Sequence, residues 1–250
     1  MTLAFVFSGY LEHIPEKRWQ SIILFAVLLL QYTAEHLFPA ARKYNDRKNE
    51  GRNLLIGVIN LAILFFPSVL IIELLSAIEK NKMGLLQQFI FPFWLKLAIT
   101  IFFMDLAMYW WHRINHTQKI FWRFHQFHHK DNKMNTTTAL RFHTVELLFS
   151  TVCKAIFFLL MGFSFLPILI YEAIFFIIVL IHHSNIAISR RIDHIYRKLF
   201  SSPLMHRIHH SDKQQETDTN YGSVFSCWDR LFKTYKNEAS GEIVFGVKKE

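Results

Sequence analysis

The sequence predicts an all-α integral membrane protein, in which about three spanning helices and a helical hairpin carry a histidine-rich helical cap. Three observations support this fold class. The 250 residues are 52% hydrophobic, with 26 phenylalanines and a mean hydropathy of +0.21. The apolar residues fall in long runs, and most basic residues and histidines lie outside these runs. Soluble domains of this length are rarely so apolar, so the pattern indicates a bilayer as solvent.

Three apolar tracts have about the length of single membrane crossings. Ile22–Phe38 has 17 residues, Asn53–Leu75 has 23 and Phe91–Trp111 has 21. A helix needs about 20 apolar residues to cross a hydrocarbon core of about 30 Å. We therefore expect each tract to form one spanning helix.

The fourth tract, Thr144–Ile181, has 38 residues and is too long for one crossing. Gly162, Ser164 and Pro167 interrupt its middle, and such residues favour a turn over a continuous helix. We predict a hairpin of two helices of about 16 residues each, slightly short for a full crossing. The hairpin returns the chain to the side on which it began.

Basic residues mark one side of the predicted helices. The loop after the first tract, residues 112–146 and the tail from Ser184 together hold 22 of the 28 lysines and arginines. All three segments share one face if the first three helices cross in turn, and the positive-inside rule assigns that face to the cytoplasm. This distribution accounts for the net charge of +9 without a nucleic-acid partner. We therefore predict a single membrane domain over residues 1–250 with a cytoplasmic cap.

Nine of the 14 histidines lie in a pattern suited to metal binding. They form an H-x-x-x-H motif after the third tract, two H-x-x-H-H motifs, and one site after the hairpin. Helical residues at i and i+3 or i+4 lie on one face, so the members of each motif can converge. Two metal ions with four or five ligands each would use about nine imidazoles, although imidazole suits iron, zinc, copper and nickel alike. The nine are His112, His116, His125, His128, His129, His183, His206, His209 and His210.

Burying nine imidazoles without partners would be costly, which favours metal ligation over a purely structural role. A histidine-rich metal transporter, or a non-catalytic metal-binding membrane protein, is the alternative function. A transporter is expected to place its ligands at mid-membrane on broken helices, whereas these motifs fall in the predicted cap.

The motifs resemble those of the fatty acid hydroxylase / sterol desaturase superfamily, in its compact bacterial members. The resemblance covers a catalytic region of about residues 105–235, with histidine motifs in 112–129, 182–185 and 206–210. Two positions depart from the family pattern: Lys233 stands where glycine is usual, and Thr144 where proline commonly follows the histidine. The resembling segments are Tyr109–His116, Phe121–His129, Asn135–Glu146, His183–Asn185, Pro203–His210, Asn220–Gly222 and Trp228–Phe232.

The resemblance implies a di-iron centre held by the nine histidines, with O2 as co-substrate. It also implies a lipid substrate that approaches from the bilayer and is hydroxylated or desaturated at a C–H bond, and a location in a bacterial inner membrane. Because the sequence shows no Gly-rich dinucleotide fingerprint, the electrons are expected to come from a separate donor protein.

Two carboxylates within the tracts are candidates for a place beside the metal ligands. Asp105 precedes His112 by seven residues and Glu172 precedes His183 by eleven, so each shares a helical face with that histidine. Intramembrane carboxylates are costly and usually face inward. Hydrogen bonding between helices is the alternative role for both.

Other residues near the motifs are assigned with less specificity. His143 has either a structural hydrogen bond or a role at the site, and Asn220 is a candidate to orient a ligand. His182 is expected to point about a quarter turn away from the site. Residues 109–111, a tyrosine and two tryptophans, are expected to form part of an interfacial aromatic belt, with contact to the substrate as the alternative.

Overall fold

The computed structural model describes residues 18–248, with side chains from residue 23 onward. Within these residues the chain forms ten α-helices and no β-strand. Three short 3-10 helices, Arg42–Tyr44, Leu85–Gln88 and Thr136–Leu140, lie between them. The α-helices are α1 Arg18–Leu37, α2 Arg47–Asn81, α3 Phe93–Thr117, α4 Lys119–His129, α5 Thr144–Met161, α6 Phe165–His183, α7 Arg190–Tyr196, α8 Pro203–His209, α9 Gln214–Thr217 and α10 Cys227–Leu231.

Four of the described helices, α2, α3, α5 and α6, are long and apolar enough to cross a membrane. The apolar part of α1, Ile23–Leu37, is shorter. Large apolar side chains point outward from the bundle: Phe66 is 67% exposed, Trp94 68% and Leu160 65%. Such an apolar exterior is what a lipid-facing surface requires. The predicted all-α integral membrane fold is confirmed.

Helix α2 extends beyond the apolar tract Asn53–Leu75 at both ends. Asp46 caps its start by accepting hydrogen bonds from the backbone N–H groups of Lys48 and Asn49. Its 35 residues span about 52 Å, well beyond a hydrocarbon core of about 30 Å. The first turns therefore stand in the cap, where Asn49 and Asn53 donate to the buried Asp131.

The predicted hairpin is present as α5 and α6, but its arms are longer than expected. They have 18 and 19 residues, so each has the length of a crossing. The turn takes few residues because Gly162 adopts the left-handed conformation at φ 70° and ends α5. Pro167 lies in the first turn of α6, where a missing N–H leaves no hydrogen bond unmade. The side chain of Gln87 bonds to the Gly162 carbonyl at this end of the bundle.

The opposite end of the bundle gathers the basic segments. Ala40 N–H donates to the Asn185 carbonyl at 2.6 Å, which joins the first loop to the tail. The buried carboxylate of Glu35 accepts from Thr136 and from the backbone of Asn185. These contacts place the segments at one end, as the charge pattern predicted.

Candidate metal centre

Four helices bring the histidines together at the cap end of the bundle. His112 and His116 lie on the last turns of α3, and all three histidines of the first H-x-x-H-H motif lie on α4. His183 ends α6, and the second H-x-x-H-H motif occupies α8 and the residue that ends it. All nine are buried except His112, which is partly exposed.

The nine histidines divide into two adjacent groups, within each of which the candidate ligand atoms lie within 4.8 Å of one another. In each H-x-x-H-H motif, the residues at i and i+4 enter one group and the residue at i+3 enters the other. Each motif therefore contributes to both groups. The five-histidine group is His112, His116, His125, His129 and His209, and the four-histidine group is His128, His183, His206 and His210.

Hydrogen bonds fix which ring nitrogen faces the centre. Five imidazoles place Nδ1 at 2.7–3.1 Å from an oxygen of a carbonyl or carboxylate. Because these oxygens accept, Nδ1 carries the proton and Nε2 keeps a free lone pair, the arrangement typical of metal-ligating histidine. The pairs are His112 with Tyr221 O, His125 with Glu146 Oε1, His128 with Arg141 O, His183 with Val179 O and His209 with Thr219 O.

The lone pairs inside the groups need a cation. The Nε2 atoms of His128 and His183 lie 3.1 Å apart, although both rings carry their proton on Nδ1. Two lone pairs at this distance repel, whereas two nitrogens bound to one metal at about 2.1 Å would lie about 3 Å apart. Within the described residues, His129 and His210 have no hydrogen-bond partner at either ring nitrogen. The donor set therefore fits two metal ions.

The cap histidines are held in the neutral form that binds metal. Burial, followed by the neighbouring imidazoles, lowers the pKa of His128, His129, His206 and His210 well below the ordinary value. Burial also lowers the pKa of His209 to about 3. At neutral pH these rings are uncharged, so no proton has to leave before a metal ion binds.

A cavity joins the histidines to the space between the spanning helices. It is open at its mouth, and the surface that lines it is mostly apolar. Faces of α3, α5 and α6 form its walls, with apolar residues such as Met108 and Phe175 among them. Imidazoles of both groups, including His112 and His128, also line it. A hydrocarbon chain in this cavity would lie directly against the candidate metal centre.

Glu146 is a site residue that spacing did not single out. Its carboxylate accepts from His125 Nδ1 at 2.9 Å, and its side chain is 5% exposed. In the sequence, Glu146 appears only as the last residue of the resembling segment Asn135–Glu146. Its contact with His125 was not predicted, because His125 lies 21 residues away on another helix. A carboxylate that holds a ligating histidine in position typically raises the metal affinity about 10–100-fold.

Replacing Glu146 with alanine is accordingly expected to weaken metal binding about 10–100-fold. Glu146→Gln is the matched control, because the amide oxygen still accepts from Nδ1 and keeps the ring oriented. Competition with a chelator measures both affinities. Equal affinities in Glu146→Ala and the wild type would contradict this role.

The first of the two predicted carboxylates, Asp105, contacts the tail and not the histidines. Asp105 accepts from the backbone N–H groups of Val224 and Phe225 and from the Trp228 indole. It thereby anchors the segment whose Tyr221 carbonyl orients His112. Its contribution to the site is indirect.

Asn220 and His143 contact backbone groups and belong to neither histidine group. Asn220 bonds to the Met205 carbonyl, next to His206, and to the backbone of Lys236. His143 accepts from Val145 N–H as the N-cap of α5 and joins neither histidine group.

His182 does not point away from the site as expected: it lines the cavity, and its ring centroid lies 3.9 Å from that of His206. It belongs to neither histidine group. Glu172 pairs with Lys154 at the cavity wall.

The interfacial aromatic belt predicted for residues 109–111 is wrong for two of its three members. Tyr109 is fully buried, hydrogen-bonds Thr234 and stacks on Phe232. Trp111 lines the cavity, and only Trp110, 40% exposed, faces outward substantially. Successive residues on a helix point in different directions, so three consecutive aromatic residues need not share one environment.

The fold and the site define a class: a multi-pass membrane protein with two groups of clustered histidines beneath a largely apolar cavity. A family model described as fatty acid hydroxylase matches residues 97–234, more than half of the chain. The chain belongs to the fatty acid hydroxylase family.

Characterised relatives resemble the chain at modest identity. Ornithine lipid hydroxylase OlsE of Rhizobium tropici is 27% identical over 230 residues, covering 88% of this chain and 67% of that protein. Alkylglycerol monooxygenase of Xenopus tropicalis is 28% identical over 149 residues, covering 60% of this chain and 32% of that protein. Lathosterol oxidase of Mus musculus is 26% identical over 158 residues, covering 60% and 49%. No solved structure matches the chain significantly.

The chain therefore spans about a third of the alkylglycerol monooxygenase and about half of the lathosterol oxidase. These relatives are a hydroxylase, a monooxygenase and an oxidase by name. They support the predicted lipid-oxidising membrane enzyme over the metal-transporter alternative.

Proposed function

We propose that the protein is a membrane-bound, O2-dependent lipid oxidoreductase that hydroxylates or desaturates a lipid C–H bond at a di-iron centre. The main support for this proposal is the position of the histidines beside an apolar cavity. Nine imidazoles, eight of them buried, form adjacent groups of five and four, and members of both groups line a largely apolar cavity between spanning helices. A centre for transport would need a route through the membrane, whereas this one lies at the base of a cavity suited to hydrocarbon.

The five- and four-histidine groups would each hold one iron ion, and the five rings whose Nδ1 is hydrogen-bonded would bind through Nε2. When bound, the pair of iron ions supplies the redox chemistry that activates O2 toward an unactivated C–H bond. The protein's own groups set the geometry. Glu146 and the backbone carbonyls of Arg141, Val179, Thr219 and Tyr221 hold the rings by Nδ1. The apolar walls exclude water from the reacting carbon.

The overall reaction needs two electrons from outside the chain. Hydroxylation places one oxygen atom in the C–H bond and releases the other as water, consuming two electrons and two protons. Desaturation removes two hydrogens and releases both oxygen atoms as water, with the same demand. We assign these electrons to a separate donor protein.

The cap surface offers a place where such a donor can approach. Trp122 packs on His116 and His129, with ring centroids 5.0 Å and 5.5 Å apart. It also lines a surface groove together with Lys213 and Lys248. The indole shortens the path from this groove to the five-histidine group. Following the charge pattern, we place this face in the cytoplasm of a bacterial inner membrane.

Expression in a bacterial host under 18O2 tests the proposed function. The account predicts host or added lipids that carry one 18O per new hydroxyl group, or new double bonds, only when the protein is present. A His183→Ala variant expressed at the same level is expected to yield neither product. Identical lipid profiles with and without the wild-type protein, across hosts supplied with iron, would contradict the proposal.

A further inference from the structure

An ion pair lies within the membrane helices, away from the histidines. Lys154 Nζ is 2.6 Å from Glu172 Oε1, in the middle of the α5–α6 hairpin. The Glu172 side chain is fully buried and that of Lys154 is 11% exposed. Charged side chains at this depth are costly, and a buried pair is weak evidence for stability. The pair therefore calls for a role other than holding two helices together.

Lys154 lies at one end of the same cavity that ends at the histidines. Glu146, Leu147, Ser150 and Lys154 line it from one face of α5. Lys154 stands eight residues beyond Glu146, or about 12 Å along the helix. Since Glu146 holds His125, Lys154 lies about two helical turns along α5 from the residue that contacts the candidate metal centre.

The ammonium has donors left for a ligand. A lysine side chain carries three N–H donors, and Glu172 takes one of them. Within the described residues, no other hydrogen bond of the Lys154 ammonium is present, and its further contact is with the ring of Phe175 at 5.6 Å. The Lys154 side chain is 11% exposed, and Lys154 is one of the residues that line the cavity.

Charge selects the kind of ligand. Glu172 already neutralises Lys154, so a carboxylate or phosphate beside the pair would leave one uncompensated negative charge among apolar walls. That is unfavourable in a low dielectric, whereas a hydroxyl or carbonyl oxygen accepts a hydrogen bond without adding charge. A hydroxyl or carbonyl group can also be attached to the hydrocarbon chain of a lipid, and it would then lie at this depth.

We infer that Lys154, held in place by Glu172, donates a hydrogen bond to an uncharged oxygen in the apolar part of the lipid substrate. The inference rests on the proposed function and names a substrate class for it. That class is lipids with a hydroxyl or carbonyl oxygen within the hydrocarbon part, at a position separated from the carbon to be oxidised. The hydrogen bond sets which carbon reaches the histidines.

Binding of labelled 16-carbon compounds under argon, without reductant, tests the inference apart from turnover. The full-length protein purified in detergent is titrated with 1-hexadecanol, hexadecanoic acid and hexadecane. We expect the wild type to bind hexadecanol about tenfold more tightly than hexadecane, and also more tightly than the acid. Lys154→Met is expected to lose about tenfold in hexadecanol affinity and to leave hexadecane binding unchanged.

Two further variants keep the test decisive. Lys96→Met removes a lysine of α3 that does not line the cavity, and is expected to bind hexadecanol like the wild type. Lys154→Met/Glu172→Leu replaces the whole pair by apolar side chains, which buried sites often tolerate, and is expected to fold yet lose the alcohol preference.

Several results would overturn the inference. They are unchanged hexadecanol binding in the double variant, tighter binding of the acid than of the alcohol, or no saturable hexadecanol binding by the wild type. If 18O-labelled lipids still form in any of these cases, the proposed function stands and only the role of Lys154 fails.

Discussion

Replacing His183 with alanine is expected to remove about one metal ion per chain and to abolish lipid oxidation. His183 belongs to the four-histidine group, where its Nε2 lies 3.0 Å from that of His206 and 3.1 Å from that of His128. Three ligands then remain for an ion that prefers at least four. Elemental analysis of the purified variant measures the loss, and 18O2 labelling measures the activity.

His182 provides the control from the adjacent position in the chain. It is as deeply buried as His183 and touches the same His206 ring, but it belongs to neither group. His182→Ala removes the same number of atoms and is expected to retain the full metal content. Equal metal loss in the two variants would contradict the assignment of ligands.

Replacing Asp105 with leucine is expected to destabilise the protein by on the order of 3 kcal/mol, because three buried N–H donors lose their acceptor. The segment from Tyr221 to Trp228 would loosen, and His112 would lose the carbonyl that orients it. Thermal unfolding in detergent, followed by tryptophan fluorescence, should show a midpoint lowered by several degrees. Limited proteolysis should cut this segment first.

The control is a carboxylate in an exposed ion pair. Glu242 lies 3.6 Å from Lys43 with 82% of its side chain exposed. Glu242→Gln is expected to leave the unfolding midpoint nearly unchanged, because exposed pairs contribute little. An Asp105→Leu protein as stable as Glu242→Gln would show that the anchor of the tail lies elsewhere.

Local spacing was enough to predict which histidines of each motif share a helical face. The i, i+3 and i+4 positions of His112, His116 and the two H-x-x-H-H motifs fall on α3, α4 and α8, and helical geometry brings the members of each motif together. The division into two groups was not predicted. It depends on the angles at which α4 and α8 meet, which no single motif encodes.

The partners of the histidines were less accessible to sequence reasoning. Glu146 is 21 residues from His125, and the Tyr221 carbonyl is 109 residues from His112. Shared helical faces suggested Asp105 and Glu172 instead, but a shared face does not say which helix packs opposite. Asp105 meets the tail and Glu172 meets Lys154. Backbone carbonyl partners carry no signal in the residue type at all.

The metal content of the detergent-purified protein tests the di-iron assignment when it is measured beside that of a His128→Ala/His209→Ala variant, which removes one ligand from each group. We expect about two iron ions per chain in the wild type, tightly bound and largely lost in the double variant. A wild-type protein that holds no iron after reconstitution, or only freely exchanging zinc, would contradict it.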